Sequence, residues 1–365
     1  MNAISAVMLV FALLGAIDKI IGNRFGLGKE FERGFNLLGP MALSMVGMII
    51  VAPALGVWLM PFFEGFYNLL GIDPSIIPAS LFANDMGGTP LAMEIMKDSD
   101  VGMYNALVVS SLMGAVISYT IPFGAGIVNK SQHKELFLGY LCGIVAIPVG
   151  CFISGLVLGI GILSLLLNLL PLLLLAIIIV LGLIFAKSIT VKVFQIFGML
   201  MMAFITVGLA LGIFTAVTGI VISEHFETIG EGARICFNAS VTLCGAFPLM
   251  FIVSKLLRRP MSMLGKKIGI NSTSAICLLP NLVTNATTFG MMGDMDKKGV
   301  VLNSALSVTV AFAFGSHLGF TAAYDNAYVF PMIIAKLVSG IVAVAIALLI
   351  YKEDKAEPQN QQINT

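Results

Sequence analysis

The sequence predicts an all-α integral membrane protein, and three observations carry that expectation. Hydrophobic residues make up 58% and charged residues 11% of the 365, where a soluble globule carries about a quarter charged. The mean hydropathy is +1.02. Apolar stretches recur from end to end, each near the roughly 20 residues that cross about 30 Å of hydrocarbon. They lie near 3–22, 35–60, 74–96, 101–128, 135–162, 164–186, 193–221, 233–256, 272–294, 299–322 and 327–351, within one transmembrane domain.

Taken in order, the first stretch lacks the charged start and small-residue cleavage site of a signal peptide, so it is expected to stay as a helix. Two others stand apart. The third carries ANDMGGTP at its middle and the ninth carries LLPNLVTNATTFG from Leu278 to Gly290. Polar and helix-breaking residues there predict re-entrant hairpins, leaving about nine spanning helices. The positive-inside rule supports that count. With both hairpins re-entrant, Arg24, Lys29 and Arg33 fall on one side with Lys130, Lys134, Lys187 and Lys192. The cluster Lys255, Arg258, Arg259, Lys266 and Lys267 joins them, as do Lys352 and Lys355, while Glu224, Glu227 and Glu231 fall opposite. This places the N-terminus outside and the C-terminus in the cytoplasm. The tail 352–365, ending in EPQNQQINT, reads as a disordered cytoplasmic segment.

The two halves are alike at a shift of about 198 positions: GID at Gly71 matches GIN at Gly269, and NALVVSSLMGA from Asn105 resembles NSALSVTVAFA from Asn303. The predicted organisation is repeat 1 over about 1–162, a linker helix 164–186 and repeat 2 over about 193–351. An odd number of crossings between matched elements makes the repeats inverted. Inverted repeats with broken helices meeting near the midplane are the architecture of secondary transporters.

Other classes find little support. The net charge of +1 offers no basic field for nucleic acid. Cys142, Cys151, Cys236, Cys244 and Cys277 lie in apolar stretches without CxxC spacing and predict reduced, buried thiols. The three histidines are scattered and no GxxxxGK[ST] loop occurs, so neither a metal, a cofactor nor ATP hydrolysis is expected. A membrane-embedded hydrolase or transferase is the enzyme alternative, but HExxH, GxSxG and paired-aspartate motifs are lacking.

Candidate site residues gather at the two breaks, because backbone leaving a helix inside a membrane must be buried in protein or line a wet cavity. The shift sets Gly87 opposite Asn285 and Thr89 opposite Thr287. One tip is anionic through Asp85 and the other neutral. The pair suits a solute that is both a cation and a hydroxyl carrier, with Gly87 and Gly88 letting the backbone turn. A midplane carboxylate costs roughly 3 kcal/mol or more to insert, so Asp85 needs a reason. Capping the second half of the hairpin is its alternative role. Asn84 supports the tip or touches solute, and Asn285 touches solute or caps. Glu94 lies at the hairpin mouth, solvated or paired. Lys336 sits too deep to snorkel and should pair with a carboxylate, or take part in gating. His317 makes a satisfied polar contact or switches protonation. Asp325 and Asn326 sit where capping is the default.

FERGFNLLGPMALSMVGM from Phe31, NDMGG from Asn84, NATTFGMMGDMD from Asn285 and SHLGFTAAYDNAYVFPMIIAKL from Ser316 resemble the ethanolamine-utilisation transporter family, EutH, over nearly the whole chain. The resemblance implies uptake of ethanolamine across the bacterial cytoplasmic membrane, feeding a cobalamin-dependent ammonia-lyase elsewhere and mattering most at low external pH. The family pattern covers Asp85, Gly87, Gly88, Asn285, His317, Gly319, Asn326 and Lys336. This chain departs from it at Ser316, where an acidic residue can occur, and at Thr89-Pro90, which replaces a bulky apolar pair; Asp325 lies outside the pattern. Physically, a membrane potential is worth about 2.3 kcal/mol per charge per 100 mV, or roughly 50-fold accumulation of a monocation. Facilitated diffusion of protonated ethanolamine therefore suffices without a coupled ion, with proton-coupled symport as the alternative. Lipid and ethanolamine are the expected partners, and the sequence leaves a homo-oligomer open.

Overall fold

In a computed structural model, which describes residues 3–351, the chain is all-helical, without strands among the described residues. The tail and the charges of Lys352 and Lys355 lie outside them. Helix α1 is Ala3–Ile20, α2 Leu27–Asn36, α3 Leu38–Leu70, α4 Ile76–Leu81 and α5 Gly88–Ile95. Helix α6, Ser99–Tyr104, continues as a π-helix over Asn105–Gly114 and Val116–Thr120 into α7, Ile121–Ile127. Next come α8 His133–Val157, α9 Ile162–Phe185, α10 Lys187–Thr218 and α11 Ile229–Ile268. The chain closes with α12 Ser272–Cys277, α13 Asn285–Gly290, α14 Lys297–Thr309, α15 Ser316–Tyr324 and α16 Val329–Ile350. Among the described residues, seven helical stretches are long and apolar enough to cross a membrane, the first being Leu27–Phe63 and the last Asn326–Ile350.

Glycine lets the long helices approach closely, as expected where hydrophobic burial does not drive association. A Cβ on Gly139 would stand 2.3 Å from the Val301 carbonyl of α14, and one on Gly150 would stand 2.2 Å from Ala335 O of α16. One on Gly47 of α3 would meet Ile205 O of α10 at 1.7 Å.

The two interrupted stretches have tethered ends. Asp73 Oδ2 accepts from the backbone N–H groups of Lys97 and Asp98 at 2.9 and 2.8 Å, so both ends of 74–96 meet. At the ninth stretch Asp296 Oδ1 accepts from Asn271 N at 2.8 Å, and Asn271 Nδ2 donates to Asp294 O at 3.0 Å.

Two differences from the sequence reading bear on function. The segment expected at 35–60 begins at Leu27, because α2 folds back along α1: a Cβ on Gly28 would touch the Lys19 backbone, and one on Gly15 would touch Phe31. Arg33, assigned to a loop, is therefore on a packed helix. The segment expected to run unbroken over 299–322 parts between α14 and α15. There Phe312 takes φ +61°, a left-handed conformation that costs a bulky residue roughly 1–2 kcal/mol. Phe314 N donates to Leu282 O at 2.8 Å, and Gly315 stands against Val283 O, where a Cβ would be 2.2 Å away. The ninth stretch thus uses the backbone that this break exposes.

Candidate functional site

The first tip is built from Asn84–Met86, one 3₁₀ turn, followed by Gly87 at φ +113°. That φ, with Met48 Cγ 2.6 Å from where a Cβ would stand, restricts the position to glycine. Pro90 falls in the first turn of α5, where no N–H is needed. Asn84 is fully buried; its Oδ1 accepts from Asp85 N at 2.9 Å, and its Nδ2 donates to Thr321 Oγ1 at 3.3 Å and His317 O at 3.5 Å. The first tip is thereby fastened to the second half of the chain. The second tip reaches the other way: Asn285 Nδ2 donates to Thr120 Oγ1 in the π-helix at 3.2 Å.

Both tips, the π-helix and the α14–α15 break line a cavity of about 660 Å³, together with residues of α2, α3, α7, α10 and α11. Asp85 lines it and is the one carboxylate among its lining residues. No side chain caps α5, so the Asp85 carboxylate is not consumed by the capping alternative. Its Oδ1 lies 3.6 Å from His317 Nε2. His317 is buried, its Nδ1 has no hydrogen-bond partner, and its ring packs on Phe312 at 4.9 Å. Phe312 in turn meets Tyr119, which stacks on Phe123 at 4.8 Å. Aromatic surface beside a carboxylate is a setting that favours an organic cation. Ser118, Ser316 and Thr284 supply hydroxyls to the same wall. A smaller cavity of about 210 Å³ shares Arg33, Phe247, Val283 and Thr284 with it and adds Glu30 and Thr287. Arg33 pairs with Glu30 at 3.3 Å and covers the Phe247 ring at 4.9 Å, standing where the two cavities adjoin.

Several sequence candidates stand behind the wall rather than in it. Thr89 is buried and donates to Ala106 O at 2.6 Å. Gly87 and Gly88 are buried backbone; a Cβ on Gly88 would be 2.3 Å from Phe82 O. Asn285 is fully buried, lining neither of these two cavities and not capping α13, whose cap is Thr284. Thr287 lines only the smaller cavity. Glu94 is exposed, seven residues past Gly87, against Gly56. Asn326 is exposed and accepts from Ser5 Oγ at 3.1 Å. Asp325, not Asn326, caps the 3₁₀ turn Asn326–Tyr328 that leads into α16, accepting from Ala327 N. Lys336 does not meet the expected carboxylate. Its Nζ donates to the carbonyls of Ser111 and Ala311 instead, oxygens that the interrupted helices bring within its reach. Sequence reasoning missed Tyr119, Phe123, Phe312, Arg33 and Phe247, which read as ordinary apolar-helix or loop residues until the breaks bring them to one cavity.

The family model "Ethanolamine utilisation protein, EutH" matches residues 1–350. The chain is 41% identical over 356 residues to the probable ethanolamine permease EutH of Listeria monocytogenes, covering 96% of this chain and 95% of that protein. It is 35% identical to the protein of the same name in Salmonella typhimurium, again over 96% of this chain and 95% of the relative. An uncharacterized Bacillus subtilis protein, YxeR, is 35% identical over 99% of this chain and 97% of its own length. No solved structure matches. With the family model running along residues 1–350 and these relatives covered almost end to end, the chain belongs to the ethanolamine utilisation EutH family.

Proposed function

We propose that this chain is an ethanolamine permease of the bacterial cytoplasmic membrane, passing protonated ethanolamine by facilitated diffusion. The observation that carries the reading is Asp85, the sole carboxylate on a 660 Å³ cavity, set beside aromatic rings and hydroxyls. The ammonium takes Asp85, and the hydroxyl takes Thr284, Ser118 or Ser316. The relatives named probable ethanolamine permeases support the solute, and a transporter family leaves no place for the hydrolase alternative.

The architecture we read is two inverted repeats with two re-entrant hairpins, about 1–162 and 193–351, joined by the helix of 164–186. Its support is the tethering of each hairpin's ends by Asp73 and Asp296, and the crossed contacts of Asn84 and Asn285 with the opposite half. With the N-terminus outside, the smaller cavity opens on the cytoplasmic side, past Glu30, Arg33 and Ser254. In this reading Asn84, Thr89, Gly87, Gly88 and Asn285 hold the wall in shape. Thr287 lies on the exit path, while Glu94 and Asn326 stay outside the solute's route.

Purified protein in liposomes, given a potential but no proton gradient, is expected to accumulate labelled ethanolamine toward the ratio set by one charge. Failure to accumulate sinks uniport. A second reading, proton-coupled uptake, is favoured by the Asp85–His317 pair at 3.6 Å. It predicts accumulation only when a proton gradient is imposed.

A further inference from the structure

Lys336 is the one lysine or arginine among the buried described residues, 1% exposed. Its ammonium has no carboxylate within ion-pair distance among them. Nζ donates to Ser111 O at 2.5 Å and to Ala311 O at 2.8 Å. Both carbonyls belong to places where α-helical winding is lost. Ser111 lies in the π-helix, and Ala311 follows the end of α14, one in each half of the chain. Unwound carbonyls and half-helix C-termini are the groups that coordinate alkali cations in secondary transporters. A helix C-terminus adds the negative end of its dipole.

We propose that the carbonyls of Ser111 and Ala311 form a monovalent-cation site which the Lys336 ammonium fills from within the chain. The protein carries, tethered to α16, the cation that an ion-coupled carrier would draw from solution. Lys336 is then a positioning residue. It holds the two interrupted helices together, and Ala311 passes that placement to Phe312, whose ring packs on His317 beside Asp85. Transport takes no sodium or potassium at this place. The geometry stands apart from the solute, while the uptake assay rests on the permease reading.

The test uses the full chain in sodium, potassium or N-methylglucamine at equal ionic strength. In liposomes with a potential set by a permeant anion, wild-type uptake of ethanolamine is expected to agree within about twofold across the three, since less than 0.5 kcal/mol separates them. Lys336→Ala empties the site. Its uptake is expected to fall about tenfold in N-methylglucamine and to recover several-fold in sodium or potassium, whereas Lys336→Met, which fills the space with an apolar chain, stays low in all three. Lys336→Arg keeps a cation there and is expected to remain indifferent to the solution cation. In detergent, sodium or potassium should raise the unfolding midpoint of Lys336→Ala by roughly 2–4 °C and leave wild type unmoved. A strict alkali-cation requirement of wild type, or Lys336→Ala indifferent to cation identity in both assays, overturns the proposal. Absence of wild-type uptake in every cation would sink the permease reading instead and leave the midpoints to decide this one.

Discussion

Replacing Asp85 by Asn removes one charge from the cavity wall, and with it the anion that faces His317, but leaves the tip's backbone in place. The tip is held through the Asp85 backbone, whose N–H donates to Asn84 Oδ1, and through the amide of Asn84, so its shape does not depend on the carboxylate. The side chain is 14% exposed, which leaves a substrate ammonium on it largely desolvated. Losing one partner of such a pair costs about 2–3 kcal/mol at the low end of measured interfaces. At 1.4 kcal/mol per tenfold, uptake below half-saturation should drop about 30- to 140-fold. The assay is initial uptake of labelled ethanolamine into liposomes at neutral pH, corrected by protein-free vesicles. The unfolding midpoint checks that the variant is intact. Uptake within threefold of wild type, from intact protein, would refute the assignment of Asp85 to the ammonium.

Gly87→Ala imposes a positive φ on a Cβ that also meets Met48, and is expected to destabilise by about 2–5 kcal/mol; adding Met48→Ala should return the steric share alone, which thermal unfolding would report. Asn84→Ala removes buried hydrogen bonds that tie the tip to α15 and should cost about 1–3 kcal/mol; an unshifted unfolding midpoint contradicts it. Ser316→Cys places a thiol on the cavity wall, whereas the five native cysteines are buried. A membrane-impermeant maleimide should label it from the Arg33 side, more slowly with saturating ethanolamine, and equal labelling from the opposite face argues against the proposed sidedness.

Composition and the spacing of apolar runs determined the helical class, since the length and hydropathy needed to cross a bilayer are local properties. The stretches at 164–186, 233–256 and 327–351 were legible for that reason and are helical in α9, α11 and α16. Breaks marked by Gly, Pro and Asn were equally legible at 81–95 and 278–290, because those residues act on their own backbone. The break at Val310–Gly315 was not: AFAFG carries only an ordinary end glycine, and its left-handed Phe312 is imposed by contact with Leu282 and Val283, far away in sequence. The same cause moved Lys336 from a presumed carboxylate partner to two carbonyls, since the oxygens it meets exist only once both helices are interrupted. The carboxylate at Asp85 and the histidine at 317 were visible as residues. Their separation of 3.6 Å, and the aromatic surface that Tyr119 and Phe312 bring beside them, came from packing between the two halves of the chain. No local pattern encodes the meeting of Asp85 with His317 or of Tyr119 with Phe312, because each joins residues more than a hundred positions apart.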